Sequence, residues 1–463
     1  MKSSQRFSIV SRIVAGLVLL TPALRAEDFA QQAARPVPNW LREGVVYEIF
    51  PRNFSAEGNF NGVTARLDEL KDLGATILWL MPIHPIGQKM RKGSVGSPYA
   101  VKDYYAINSA YGNESDLKRL VTEAHKRDLK VIIDIVANHT AWDSVMMRQP
   151  EFYKQDANGK IIPPVPEWTD VAGLNYENPK LCQYMTDMLK HWLSHFDLDG
   201  FRCDVASMVP TQFWEKARAE LTKIKPDIMM LAEASKPELL LNAFDVDYSW
   251  PLHGTLNNVL LNGAAATEFK KSWDESRHQF PRGSLHLRIS DNHDEPRAVA
   301  RFGIKGALAA SALMFCLDGV PLLYNGMEVG DATESGDPAL FEKLAVFWHP
   351  KDRPPLRDVY RDLIRLRKEH AAFRNDEVKW LRNSDEANLV TMMRLDTNEE
   401  FVVVVNFSNR PAVGWVDVQR PEQFTPVKIA GMPDYSPGGF PLFRLNGFEW
   451  RLYQRSLASG PKL

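Results

Sequence analysis

From residue 45 onward, short apolar runs alternate with stretches in which apolar residues recur every three or four positions. Val45 to Phe50, Thr76 to Met81 and Val131 to Val136 have strand length, and further runs fall at 199–204, 228–233, 243–248, 285–290 and 320–324. Between them, Val63, Leu67 and Leu70 keep helical spacing as far as Gly74, a plausible stop. Leu117, Leu120, Val121 and Ala124 share one face of a helix that Ser115 is expected to cap. Asn178-Pro179 opens another, with Leu181, Met185, Met188 and Trp192 facing inward. Further helices are expected near 210–221, 265–277, 304–316 and 355–369. Strand–helix pairs repeated eight times predict an α/β fold, a closed (β/α)8 TIM barrel rather than an open sheet.

Two regions break that rhythm. From Thr140 to Tyr176 the chain holds Pro163, Pro164 and Pro166 among Trp142, Tyr153 and Trp168, which reads as an ordered loop or short subdomain after the third strand, residues 140–177. Beyond residue 376 the period becomes alternating. Asn388 to Arg394, Phe401 to Phe407, Ala412 to Val418 and Phe448 to Tyr453 look like strands separated by Asn, Pro and Gly turns. The expected organisation is a barrel over 40–375 and a C-terminal β-sandwich over 376–463.

Composition narrows the classes. The chain has 463 residues, 44% hydrophobic and 25% charged, with a net charge of -2, so neither disorder nor an electrostatic case for nucleic acid or an anionic membrane arises. At the start, Lys2, Arg6 and Arg12 precede the apolar stretch Ile13 to Leu20, and Ala23-Leu24-Arg25-Ala26 ends in small residues. That order is expected of a secretory signal peptide over residues 1–26, and the stretch is shorter than the roughly 20 residues a bilayer requires. The protein is therefore expected to be exported, to the periplasm or outside the cell. Cys182, Cys203 and Cys316 are widely spaced in apolar surroundings and fit buried small side chains, not disulfides or a metal knot.

Three carboxylates end apolar runs: Asp204 after Gly200-Phe201-Arg202-Cys203, Glu233 after Met229-Met230-Leu231-Ala232, and Asp294 after Asn292-His293. An acid at the end of a buried strand costs free energy unless it is paired or used. Barrel enzymes put their functional groups at those carboxyl ends, where Asn138-His139 also falls. Arg202 and Asp204 lie two apart, so they share a side, and the guanidinium is expected to hold Asp204 ionised as a nucleophile requires. The apolar lead into Glu233 is expected to raise its pKa for general acid work. Asp294 is positioned to stabilise positive charge at a sugar carbon, with His139 and His293 bonding to hydroxyls. Each residue alone has a plainer reading, as a structural ion pair, a capping acid or a core histidine; their joint placement on one face favours chemistry.

The segments Asp134-Ile-Val-Ala-Asn138-His139, Gly200-Phe-Arg202-Cys-Asp204, Glu233 and Asn292-His293-Asp294 resemble the four ordered motifs of the α-amylase family, glycoside hydrolase family 13. Gly319 to Glu328, Tyr47 to Arg52, and Gly96-Ser-Pro-Tyr99 with Asp103-Tyr104 are similar to further family segments. The resemblance implies Asp204 as nucleophile, Glu233 as acid/base and Asp294 as transition-state stabiliser. It implies that Tyr99, His139, Arg202 and His293 bind the attacked sugar. It also implies a retaining mechanism through a covalent glycosyl ester.

The chain departs from that pattern after the nucleophile, where many starch-cleaving members carry Lys and His and this chain has Ser207 and Met208. The segment Ser55 to Asn61 also lacks the aspartates that some members use for calcium. Asn138 survives as a ligand for a structural calcium, but one amide does not make a site, so no essential metal or other cofactor is expected. The expected activity is hydrolysis of α-1,4-glucosidic bonds in starch-type glucans or maltooligosaccharides. The run Asn292-His-Asp-Glu-Pro-Arg297 leaves an α-glucosidase, a cyclomaltodextrinase or a glucosyl-transferring or isomerising relative as the alternative. A non-catalytic glucan-binding subunit would have lost acids that are all present here. A metal-dependent hydrolase using His139, Asp204 and His293 is a third possibility.

Overall fold

The computed structural model describes residues 28–333, 337–349, 356–435 and 439–457; the expected signal peptide lies outside the described residues. Eight parallel strands close into a barrel. They are β1 (Val46–Ile49), β2 (Ile77–Leu80), β3 (Lys130–Ile135) and, after a small hairpin of β4 (His139–Ala141) with β5 (Val171–Gly173), β6 (Gly200–Cys203), β7 (Met229–Ala232), β8 (Val246–Tyr248), β9 (Leu285–Arg288) and β10 (Val320–Tyr324). β1 pairs with both β2 and β10, which completes the ring.

Alternation along each strand divides the barrel into two layers. Val46, Ile77, Trp79, Ile132, Met229, Leu231, Val246 and Tyr248 pack together inside. Tyr47, Leu78, Val131, Ile133, Phe201 and Met230 face the surrounding helices. Two residues beyond Val46 and Ile132, the inward row turns polar with Glu48 and Asp134, and Arg202 of β6 pairs in register with Asp134. All three are buried. The charged groups are therefore stacked on an apolar plug at the carboxyl-end mouth.

Local chemistry explains the helix ends. Gly74 closes Leu67–Leu73 with φ 103°, and Asn178 caps Pro179–Phe196 by accepting from the Lys180 amide. The helix Glu114–His125 is capped by Asn113, whose side chain accepts from Ser115 and Asp116 while Asp116 answers the Asn113 amide. Ser115, the expected cap, instead lies inside that helix, because the Asn113–Asp116 pair satisfies both ends of the box. A helix over Trp250–Asn262 was not anticipated.

The C-terminal region forms a five-stranded antiparallel sheet in the order β11 (Val378–Trp380), β12 (Leu389–Leu395), β13 (Glu399–Asn406), β17 (Trp450–Ser456), β15 (Thr425–Pro426). A ribbon of β14 (Ala412–Trp415) and β16 (Leu442–Leu445) lies over it. Leu389, Val402, Val404, Ala412, Phe443 and Leu445 bury their side chains in one cluster between the two layers.

Candidate active site

Arg202 is the centre of the mouth. Its side chain is fully buried, with Trp79, Tyr99 and Tyr248 rings within 5.1–5.7 Å of the guanidinium carbon. Nη1 donates to both Asp134 oxygens at 2.8 and 3.0 Å and to Asp204 Oδ1 at 3.1 Å. Nη2 lies 2.9 Å from Glu233 Oε2, at ion-pair distance although out of line for a hydrogen bond. One guanidinium thus gathers Asp134, Asp204 and Glu233 on a single fork.

Sharing that cation changes the expected electrostatics. Burial raises Asp204 to about 6 against the pull of Arg202, and the Asp134 and Asp294 charges add to the rise. Arg202 pulls Asp204 toward the ionised form, but three acids divide that one cation, so burial still lifts the carboxyl above its ordinary value. Asp134 is likewise lifted to about 6, by burial. Burial, opposed by Arg202 but reinforced by Asp204 and Asp294, lifts Glu233 further, to about 7, the direction its apolar lead predicted.

Backbone geometry fixes the two acids relative to each other. The Glu233 amide donates to Cys203 O at 3.0 Å, and the Ala206 amide donates back to Glu233 O at 3.1 Å. Between them Val205 has φ 35° and ψ 47°, a left-handed conformation that a β-branched residue rarely adopts. There its amide donates to Glu233 Oε2 at 2.8 Å.

Asp294 is the most open of the three acids, with 33% of its side chain accessible against 9% for Asp204 and 14% for Glu233. Burial within the pocket would raise it, but His293, with Nε2 3.1 Å from Asp294 Oδ1, holds it below the usual carboxylate range. Tyr99 stacks on His293 at 5.6 Å and 21°. The Tyr99 hydroxyl lies 2.6 Å from His293 Nε2 and donates to Asp134 Oδ2 at 3.2 Å.

The structure therefore brings Tyr99, Arg202, Asp204, Glu233, His293 and Asp294 into one connected group. His139 joins them through the main chain: its ring bonds to the backbone of Tyr99, with Asn138 at 3.3 Å and the Trp168 ring at 5.6 Å as side-chain neighbours. Burial lowers it to about 4, so it is neutral.

Two participants were missed from the sequence. Glu48 is fully buried on β1 and bonded to His293 Nδ1, and His253 is buried on the helix after β8, within electrostatic reach of Asp294. Glu48 had a signal, since it is a lone acid inside the apolar run Val45 to Phe50. Among the described residues no group of three or more His, Cys, Asp or Glu side chains is arranged to hold a metal ion.

Residues 32–158 and 167–392 match the family model described as alpha amylase, catalytic domain. A cyclomaltodextrinase from Geobacillus thermopakistaniensis is 28% identical over 426 residues, covering 81% of this chain and 70% of the relative. The alpha-amylase MalA from Haloarcula japonica is 28% identical over 401 residues, covering 82% of this chain and 58% of the relative. Among solved structures, a noncanonic maltogenic alpha-amylase AmyB from Thermotoga neapolitana superposes with a TM-score of 0.80 at 29% identity, covering 90% and 99% of the two chains. An alpha-amylase from Lactobacillus plantarum gives 0.78 at 28%, covering 89% and 99%.

Proposed function

Since the chain belongs to the α-amylase family and is a glycosidase, we propose that it hydrolyses α-1,4-glucosidic bonds in short or cyclic maltooligosaccharides, with retention at the anomeric carbon. The observation that carries the mechanism is the shared fork: Asp204 and Glu233 meet one guanidinium, and Glu233 has the higher pKa. Near pH 6.5 that order leaves Asp204 mostly ionised and Glu233 mostly protonated, the division of labour that retention needs.

On this reading a glucosyl unit sits in the mouth beside Tyr99. Glu233 donates its proton to the glycosidic oxygen as Asp204 attacks the anomeric carbon. The carbon–oxygen bond to the leaving sugar breaks, and an ester to Asp204 forms. Glu233, now a carboxylate, takes a proton from water; the hydroxide attacks the same carbon and releases Asp204. Asp294 stabilises the positive charge that develops on the ring at both steps.

Preference for oligosaccharides over long starch chains rests on two supports. Relatives named cyclomaltodextrinase and maltogenic alpha-amylase stand among the similar proteins. Ser207 and Met208 also supply neither an ammonium nor an imidazole just past the nucleophile, where a long chain would be gripped. Separate digestion of starch, maltotriose, a cyclodextrin, pullulan and trehalose, with the anomer of each first product resolved, tests the reading. Rapid ring opening and maltotriose cleavage with the α-anomer released first are expected. A β-anomer would end the mechanism, and activity confined to starch would end the substrate assignment. Asp204→Asn is expected to abolish turnover while oligosaccharide binding persists.

A further inference from the structure

We propose that Glu48 is a positioning residue for this site: it holds the Nδ1 proton of His293, making that ring a permanent cation whose Nε2 side faces Asp294. The inference follows from counting donors and acceptors. Glu48 Oε1 bonds to His293 Nδ1; burial raises the Glu48 carboxyl and His293 pulls it back, and on the proposal it stays ionised and accepts, which leaves the proton on Nδ1. On the other side of the ring, Nε2 faces Asp294 Oδ1 at 3.1 Å and the Tyr99 oxygen at 2.6 Å. Asp294 can only accept. The Tyr99 hydroxyl proton is directed to Asp134, so its oxygen also accepts. With acceptors on both sides, the imidazole carries two protons.

The surroundings bear this out. From the strands come Glu48 of β1, Asp134 of β3 and Arg202 of β6; from the loops come Tyr99 and Asp294. On the helix after β8, His253 has no protein partner at Nε2 among the described residues. Burial alone would lower His293, but the Asp294 and Glu48 charges overcome it and raise its pKa well above the ordinary value. Glu48 cannot swing away, because its own carbonyl accepts from the Asn325 amide at 3.0 Å and the side chain is sealed in the barrel. Trp79 meets the His293 ring edge-on at 5.7 Å and 82°, which fixes its plane.

The consequence deepens the proposed mechanism and rests on the role given there to Asp294. A neutral imidazole would have one proton to divide between Glu48 and Asp294. Asp294 would then lose its counter-ion beside two other acids and tend to protonate, withdrawing the charge that meets the developing cation.

Two measurements on the full chain test this. In the wild-type protein, nitrogen NMR of labelled histidines should show both His293 ring nitrogens protonated at pH 8, with assignment by loss of the signals in His293→Gln. A neutral ring at pH 7 overturns the inference, and this readout needs no turnover. In Glu48→Gln, kcat should fall on the order of 100-fold with KM changed less than about threefold. An unchanged kcat overturns the positioning role even if His293 is charged. The Asp204–Glu233 mechanism would survive that result, because it is judged separately by the anomer released.

Discussion

The pH–rate profile is the most direct test of how the pocket shares its charge. On the proposed mechanism, productive enzyme needs Asp204 ionised and Glu233 protonated, groups held at about 6 and about 7. Treating them as independent, about 0.6 of the molecules are correctly charged midway between, near pH 6.5. Two pH units to either side the fraction is roughly 0.03, so kcat/KM should fall about 20-fold by pH 4.5 and by pH 8.5. The limbs belong to the pair, since the two acids interact through Arg202. The assay is initial-rate release of reducing sugar from maltotriose across pH 4 to 9.5. Glu233→Gln should cost about 10²–10⁴-fold on maltotriose and remove the alkaline limb, leaving the acid limb of Asp204. An optimum near pH 4, where ordinary carboxylates titrate, would refute the claim that burial governs this site.

Arg202→Met should lower stability by about 3–5 kcal/mol, because three buried acids lose their common cation. An acid raised by folding stabilises the fold below its unfolded pKa and forfeits that stability as pH rises. The loss in urea midpoint should therefore be larger at pH 8 than at pH 5, and an equal loss would show that packing is what Arg202 supplies. Val205→Gly should raise stability by about 1 kcal/mol, since glycine adopts the left-handed conformation freely. A lowered melting temperature would mean that Val205 contributes more by contact than it costs in strain. Dialysis against a chelator should leave turnover and melting temperature unchanged; loss restored by calcium would overturn the expectation that no metal is needed.

The barrel was legible because its strands are buried on both faces and so read as unbroken apolar runs. The run at 320–324 matched β10 at both ends. Where local chemistry competes with periodicity, the reading failed. Trp250–Asn262 carries Pro251 and Gly254, which hide its helical spacing, and Gly303 kinks the helix Ala298–Cys316 where the expected helix began. The acids at strand ends stood out because polarity against an apolar background is a property of the sequence. The division of Arg202 among Asp134, Asp204 and Glu233 was hidden, because it depends on three strands converging. Glu48 lay between: its apolar flanks marked it, but its partner is 245 residues away.

The pocket holds more negative than positive charge, and that imbalance has a direction. Glu48, Asp134, Asp204, Glu233 and Asp294 face two cations, Arg202 and, on the proposal above, His293. In a desolvated site such a set cannot be fully ionised, which is why Glu233 retains a proton near neutrality. A neutral sugar does little to relieve the repulsion. On the proposed mechanism a ring with positive charge at its anomeric carbon relieves it at once, so the repulsion among the crowded acids is released only at the transition state. The same crowding explains the rigid supports: Val205 strained to reach Glu233, Glu48 sealed in the barrel, and Tyr99 stacked on His293. Without them the acids would move apart or collect protons, and the preference for the charged sugar would be lost.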